Sequence, residues 1–287
     1  MPLNSRQKVI LRFLLKQTEG IGHTALMKWL FLFSRENPSS VSSYSFVPYR
    51  YGPSSFEVQQ NISQTLAQYI EESDGKYRLR LGVESEVAVI TNSIRALELH
   101  ALDRIWSEVH FLSREALLSR VYNGYPWYAS RSELVNGAAR PDEAKLAVYT
   151  SGYEGKSVDA FLNNLLEQGI RGVLDVRRNA YSHKYGLSGP TLRSICNTLG
   201  MQYDHLPDLG VASELRKDLS GPDAHTKLFD EYEVNLPTQA DALLQAEEII
   251  RQRPTSLMCF EAKSECCHRG RLAPKIASQV GLIVKHL

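Results

Sequence analysis

Residues 147–176, AVYTSGYEGKSVDAFLNNLLEQGIRGVLDV, decide the fold of this chain. Ala147-Val-Tyr149-Thr150 reads as a short buried strand, Val158 to Gln168 carries apolar residues at helical spacing, and Gly172-Val-Leu-Asp-Val176 reads as a second strand. The alternation continues downstream. Gly189 to Leu199 reads as a helix, Met201 to Leu206 as a strand, and an acidic, helical stretch follows to Arg251. Then come a strand Thr255 to Cys259, a helix Gly270 to Val280 and a closing strand Leu282 to His286. Strands alternating with helices imply right-handed crossovers and a mainly parallel sheet covered on both faces. The carboxyl ends of such strands share one rim, where open α/β sheets bind ligands.

Nearly all the chemistry-bearing residues of this half fall on that rim. Thr150, Gly152 and Tyr153 follow the first strand, Asp175 and Arg177 end the second, His205 ends the third, and Glu261 with Cys266-Cys267-His268-Arg269 follows a later one. One reading makes Glu261 the acid-base or nucleophilic group, with Arg177 and Arg269 on phosphate and Tyr153 or His205 orienting a sugar or base. Asp175 and His268 complete the candidate catalytic set, and Thr150 and Gly152 join the ligand-binding one. A second reading makes Cys267 a thiolate, activated by His268 or by the helix start. Plainer roles stand beside these. Asp175 and Arg177, two apart on a strand, share a face and suit an internal ion pair, and His205 suits a loop hydrogen bond. Cys259 lies in an apolar run and reads as an inert core thiol, and Cys266 as incidental. Metal binding through Cys259, Cys266, Cys267 and His268 is disfavoured, because adjacent Cys and His rarely ligate one ion and no second Cys-x-x-Cys completes the set. No Walker loop or Gly-rich dinucleotide fingerprint is visible, so the sequence names no cofactor.

The spacing Cys259, Glu261, Cys267-His268-Arg269 resembles the C-terminal signature of the bacterial domain-of-unknown-function family 488. The likeness extends through Tyr149-Thr-Ser-Gly152-Tyr153, Asp175-Val-Arg177 and Tyr203-Asp-His205-Leu-Pro-Asp-Leu209-Gly210. That resemblance implies no activity. Cys267-His268-Arg269 is also similar to the active-site tripeptide of alkylguanine-DNA alkyltransferases, which implies alkyl transfer to a thiolate. Those proteins have Pro before the Cys, where this chain has Cys266.

The first half reads as helical. Val9, Ile10, Phe13 and Leu14 mark one helix, Gly20 to Gly22 break it, and Thr24 is placed to cap a second running to Phe33. A third is expected from Ser54 or Ser55 through Ile62, Leu66 and Ile70, then a hairpin over Asp74-Gly75 with Tyr77, Leu79 and Leu81 alternating. Helices over 88–99 and 102–122 follow. Three helices and a hairpin are the order of a winged helix, which predicts a DNA major-groove helix with Arg78 and Arg80 on phosphates, or else a protein-docking module. Tyr49-Arg-Tyr-Gly-Pro-Ser-Ser-Phe56 and Tyr125-Pro-Trp-Tyr-Ala129 together resemble the Panacea-type domain, family 4065, of antitoxins and phage-associated proteins. That resemblance implies a module concerned with binding rather than catalysis; a setting in DNA repair or phage defence belongs to the function expected of the whole chain.

Two domains are therefore expected: a helical, winged-helix-like module over 1–140 and an α/β domain over 145–287, joined by a linker at Asn136–Asp142. A net charge of +1 gives no general electrostatic case for nucleic acid, though the first half carries a small basic excess. Four Cys without an even framework, no signal-peptide pattern and no membrane-length apolar run predict a cytoplasmic chain with reduced thiols. The expected function is an enzyme on nucleic acid or a nucleotide-derived substrate. The alternative is a DNA-binding regulator whose second domain senses a small anion.

Overall fold

Asn4 accepts a hydrogen bond from the Gln7 amide and the Gln7 side chain accepts one from the Asn4 amide, a capping box that starts helix α1 (Ser5–Lys16). The computed structural model describes residues 2–37, 41–135, 142–211 and 224–287. The chain divides into two compact units, Met1–Arg140 and Pro141–Leu287, and most of the expected linker, residues 136–141, lies outside the described residues.

In the first unit a turn through Gly20, at φ 84°, leads from α1 into β1 (Ile21–Gly22) and α2 (His23–Glu36). A short hairpin, β2 (Val47–Tyr49) and β3 (Gly52–Ser54), precedes α3 (Phe56–Gln60). A second hairpin, β4 (Ile70–Ser73) and β5 (Lys76–Leu79), turns at Asp74 and Gly75, whose φ of 53° and 70° suit a two-residue left-handed turn. β1 joins it to give an antiparallel sheet of order β1-β5-β4. This is the element order of a winged helix. α4 (Glu84–Thr91), α5 (Ala96–Val109), α6 (Arg114–Gly124) and α7 (Pro126–Ala129) complete the unit. Phe13, Phe31, Phe33 and Leu102 are fully buried in its core, and Tyr125 and Tyr128 set their rings against Phe31.

Several boundaries differ from the expectation. Thr24 lies inside α2, whose N-cap is Gly22. The third helix does not reach Ile70: it passes into one π turn, Asn61–Thr65, and Ile70 is buried from strand β4. The apolar spacing of Ile62, Leu66 and Ile70 is thus met by a helix end and a sheet face together. Strand β5 stops at Leu79, and Leu81 is 93% exposed. In place of two helices over 88–122 there are three. The Thr91 and Ser93 hydroxyls bond back to the Ala88 and Ile90 carbonyls as α4 ends, and Ser113 caps α6 through the Ala116 amide.

The second unit is a five-stranded, wholly parallel sheet. Its strands are β6 (Val148–Gly152), β7 (Gly172–Asp175), β8 (Gln202–His205), β9 (Thr255–Cys259) and β10 (Val284–His286), in the order β10-β6-β9-β7-β8. α8 (Val158–Glu167) and α9 (Gly189–Thr198) connect the first three strands; α10 (Ala224–Asn235), α11 (Ala240–Gln252) and α12 (Arg269–Val280) belong to the return. Ser157 caps α8 through the Ala160 amide, and Gly281, at φ 70°, ends α12. Val148, Leu174 and Leu257 pack with Leu243, Ile250, Leu272 and Ile276 in one core. The connection after β7 runs toward β8, whereas the one after β9 runs to β10 at the opposite edge. They diverge between β9 and β7, which makes the carboxyl ends of these two strands the switch point of the sheet. No helix among the described residues is long and apolar enough to cross a membrane.

Candidate functional site

The chain leaves β9 at Cys259 and reaches α12 through a loop held from several sides. A Cβ on Gly152 would lie 1.8 Å from the Glu261 carbonyl oxygen, so only glycine lets the loop cross the end of β6. Gly270 likewise stands against the Ser264 carbonyl, at 2.3 Å from an added Cβ. Glu154 accepts from the Ala262 amide at 2.9 Å. Arg269 is 1% exposed and donates from Nη1 to the Glu261 carbonyl at 2.6 Å and from Nη2 to that of Ala262 at 2.9 Å. Its guanidinium therefore shapes the loop rather than facing a phosphate.

Inside this loop lie Cys259, Glu261, Cys267 and His268. Cys259 Sγ lies 3.3 Å from a Glu261 carboxylate oxygen, within reach of its one S–H, and both Cys259 Sγ and Cys267 Sγ are 3.7 Å from His268 Nδ1. His268 Nε2 is 3.0 Å from the Val176 carbonyl, at the end of β7. A ring nitrogen facing a carbonyl carries the hydrogen, so in the neutral imidazole the Nδ1 lone pair faces the two sulfurs. Cys259, Cys267 and His268 are buried, Glu261 is half-buried, and Cys266 is exposed and apart from them. Donation from Cys259 pulls the Cys267 thiol well below its ordinary pKa, and His268 adds to this against the effect of burial when its Nδ1 also carries a hydrogen. The same hydrogen bond, with burial, pushes Cys259 up. Burial and the neighbouring Cys267 charge raise the Glu261 carboxyl. His268 or the helix start was the expected source of the Cys267 thiolate; the neighbouring Cys259 thiol and then His268 are among the causes that lower its pKa, and Cys267 lies one residue before the N-cap of α12. Cys259 Sγ, Cys267 Sγ and a His268 nitrogen all lie within 4.8 Å of one another, the one such grouping of potential metal donors among the described residues.

The other rim residues serve a second network. Asp175 and Arg177 form a buried ion pair at 2.6 Å, with a further bond from Arg177 Nε at 2.8 Å. Arg177 also donates to Tyr153 Oη at 2.8 Å and to the Leu187 carbonyl at 3.0 Å, and Tyr203 donates to Asp175 at 2.7 Å. Burial and the Asp175 charge raise the Tyr203 phenol, which keeps its proton. His205 Nε2 bonds the Arg177 carbonyl, and Thr150 Oγ1 bonds His286 Nδ1 on the edge strand. Asp175, Arg177, Tyr153 and His205 are thus brought together, but their polar atoms point at one another. Tyr203, Glu154 and Cys259 are the members the sequence reading missed. The i, i+2 spacing of Cys259 and Glu261 at a strand end was the available signal.

Around this edge the loops after β6, β7 and β9 expose Phe260, Tyr181 and Tyr185 together with Arg178 and Lys184. Lys156, half-buried, donates to the Gly152 carbonyl, and burial and then the Arg269 charge lower its pKa.

In the first unit, Arg78 donates to the Glu19 carbonyl and Arg80 to that of Ala67. The third helix and its π turn, FEVQQNISQT, carry no Lys or Arg. Lys28, 2% exposed, donates to the Tyr51 carbonyl at 2.6 Å, and burial lowers its pKa to about 8, with Arg114 adding repulsion. It borders a cavity of about 370 Å³ that Lys76, His110, Arg114 and Trp29 also line, with no Asp or Glu among the described residues around it. Trp29 Nε1 is buried with no hydrogen-bond partner among the described residues.

An open parallel α/β unit with a thiol–imidazole–carboxylate cluster at its switch point is thereby defined. Residues 157–276 match the family model for Domain of unknown function DUF488. The match contains β7, β8, β9 and every member of the cluster; Thr150, Gly152 and Tyr153 lie outside it. No curated protein and no solved structure matches the chain.

Proposed function

We propose that the α/β unit is an enzyme acting on nucleic acid or a nucleotide-derived substrate. The cluster of Glu261, Cys259, Cys267 and His268 is its reacting centre, and the first unit is a docking module. The observation that carries this reading is the half-buried Glu261 carboxyl, held above its ordinary pKa beside a buried thiol pair, at the position where sheets of this topology act on ligands. The rim supports the substrate class: Phe260, Tyr181 and Tyr185 offer faces for a base, and Lys156, Lys184 and Arg178 offer charge for phosphate. Arg177 and Arg269 are buried and engaged internally, so phosphate contact falls to these three, which it would have to draw from the Asp208 carboxylate and the Lys156 and Gly152 carbonyls. The docking assignment rests on a third helix without cations and on a wing where Glu71, Glu72 and Asp74 offset Lys76, Arg78 and Arg80. The resemblance of Tyr49–Phe56 and Tyr125–Ala129 to Panacea-type domains points the same way, and a setting in phage defence or DNA repair belongs to this reading.

Incubation with a panel of nucleotides and oligonucleotides, followed by mass spectrometry, tests it. Turnover is expected, and Glu261→Gln is expected to lower it by about a hundredfold or more while ligand is still bound. A second reading is a DNA-binding regulator whose α/β unit senses a small anion, with Arg178, Lys184 and Lys156 at the rim as the cations that would meet it. It predicts ligand-dependent DNA affinity and no product.

A further inference from the structure

The two thiols and the imidazole have a geometry that the acid–base reading does not use. Around a tetrahedral zinc-class ion, with metal–sulfur bonds of about 2.3 Å and metal–nitrogen bonds of about 2.0–2.1 Å, a sulfur and a nitrogen ligand stand about 3.6 Å apart. Both Sγ···Nδ1 distances here are 3.7 Å. The sequence argument against a metal was that neighbours such as Cys267 and His268 rarely ligate one ion. The turn before α12 brings both to the Cys259 sulfur, and all three donors lie within 4.8 Å of one another.

We infer that Cys259, Cys267 and His268 form a three-ligand site for one thiophilic divalent cation of the zinc class, its fourth position open on the Glu261 side. Three features beyond the distances support this. His268 Nε2 is held by the Val176 carbonyl, the outer contact that fixes a metal-binding tautomer and leaves Nδ1 as the ligand. All three side chains are 2% to 3% exposed, so the donors already stand together inside the protein and not on a solvated surface. The Glu261 carboxylate, within 3.3 Å of Cys259 Sγ, falls outside the three-donor group yet borders it, as a carboxylate beside an open coordination position does in catalytic zinc sites. Two sulfurs and one nitrogen select this class over magnesium or calcium, which take oxygen ligands. The inference rests on the geometry of the cluster and not on turnover.

The test uses the full chain, purified without chelator. Elemental analysis is expected to find about one zinc-class ion per chain. After removal by a chelator, Co²⁺ titration is expected to give thiolate-to-cobalt charge-transfer absorption and the intense visible bands of a tetrahedral site, saturating at one equivalent. Cys259→Ser and Cys267→Ser should each weaken binding by more than the roughly 10- to 100-fold that loss of an outer-shell partner causes. Cys266→Ser should leave it unchanged. A folded wild-type chain that takes up neither Zn²⁺ nor Co²⁺ overturns the inference without need of any variant, as does binding that Cys266→Ser abolishes or that survives both other substitutions. An inactive substrate panel with one ion bound would refute the enzyme reading alone, and an active, folded chain that takes up neither Zn²⁺ nor Co²⁺ would refute the metal site alone.

Discussion

Replacing Arg177 with methionine should cost the α/β unit about 3–5 kcal/mol. The magnitude follows from what the arginine leaves behind. Asp175 is fully buried, and with Arg177 gone it keeps, among the described residues, the Tyr203 hydroxyl and a backbone amide as donors. Removing one partner of a buried ion pair typically costs about 3–5 kcal/mol, because the other charge stays uncompensated. Tyr153 Oη and the Leu187 carbonyl lose their donor too, which keeps the expectation in that range even if Asp175 takes up a proton. Against total stabilities of roughly 5–15 kcal/mol this is a large fraction. The assay separates the two units by chemistry. All three tryptophans, Trp29, Trp106 and Trp127, belong to the first unit, so fluorescence follows that unit alone and should report an unchanged transition. Amide hydrogen exchange in β7 and β9 reads the second and should speed up. The double variant Asp175→Asn with Arg177→Met should cost less than the sum of the single changes. Protection of β7 and β9 altered by less than about 1 kcal/mol would refute the view that this pair is a closed, dry network.

Gly152→Ala should displace the 260–268 loop, since its Cβ has no room against the Glu261 carbonyl; loss of Co²⁺ uptake with far-UV circular dichroism retained is the expected pair of results, and unchanged uptake would contradict the close approach. Lys28 has a folded pKa of about 8 against 10.5, so between these values the unfolded chain binds more protons and stability rises with pH. Lys28→Met should remove that rise, of the order of 3 kcal/mol, in tryptophan-monitored urea melts at pH 7 and pH 10. For the docking reading, labelled duplex DNA at low salt should show no binding that Arg78→Ala with Arg80→Ala alters; a salt slope that falls by about two on the double replacement would restore the DNA reading.

The order of strands and helices in the second unit was legible because each strand there is a short apolar run between turn signals, and parallel strands need no long-range information to be recognised. Their lateral order was not. Nothing local says that Thr255–Cys259 inserts between Val148–Gly152 and Gly172–Asp175, and that insertion is what brings Val176 to His268 and places Cys259 among polar partners. Cys259 was read as an apolar core residue, and it is buried, but hydropathy cannot tell that its sulfur faces Glu261. Arg177 and Arg269 were read as phosphate ligands from charge and position; which of their neighbours would be carbonyl oxygens is set by loop paths. In the first unit the Asp74-Gly75 hairpin was plain from turn chemistry, whereas β1 was invisible, since two residues carry no periodicity.

The insertion of β9 also sets when the site can exist. Ser151 and Ser256 share a hydrogen bond at 2.9 Å although they are 105 residues apart in the chain. During synthesis β6, β7 and β8 emerge long before the strand that fills the gap between β6 and β7. Until Thr255–Cys259 arrives, two inner edges stay open to wrong partners, and sheets closed by such distant pairings assemble slowly. The nascent chain therefore carries a vacant central slot from the synthesis of Asp175 to that of Thr255, and the Cys259, Cys267 and His268 cluster can assemble only after that slot is filled.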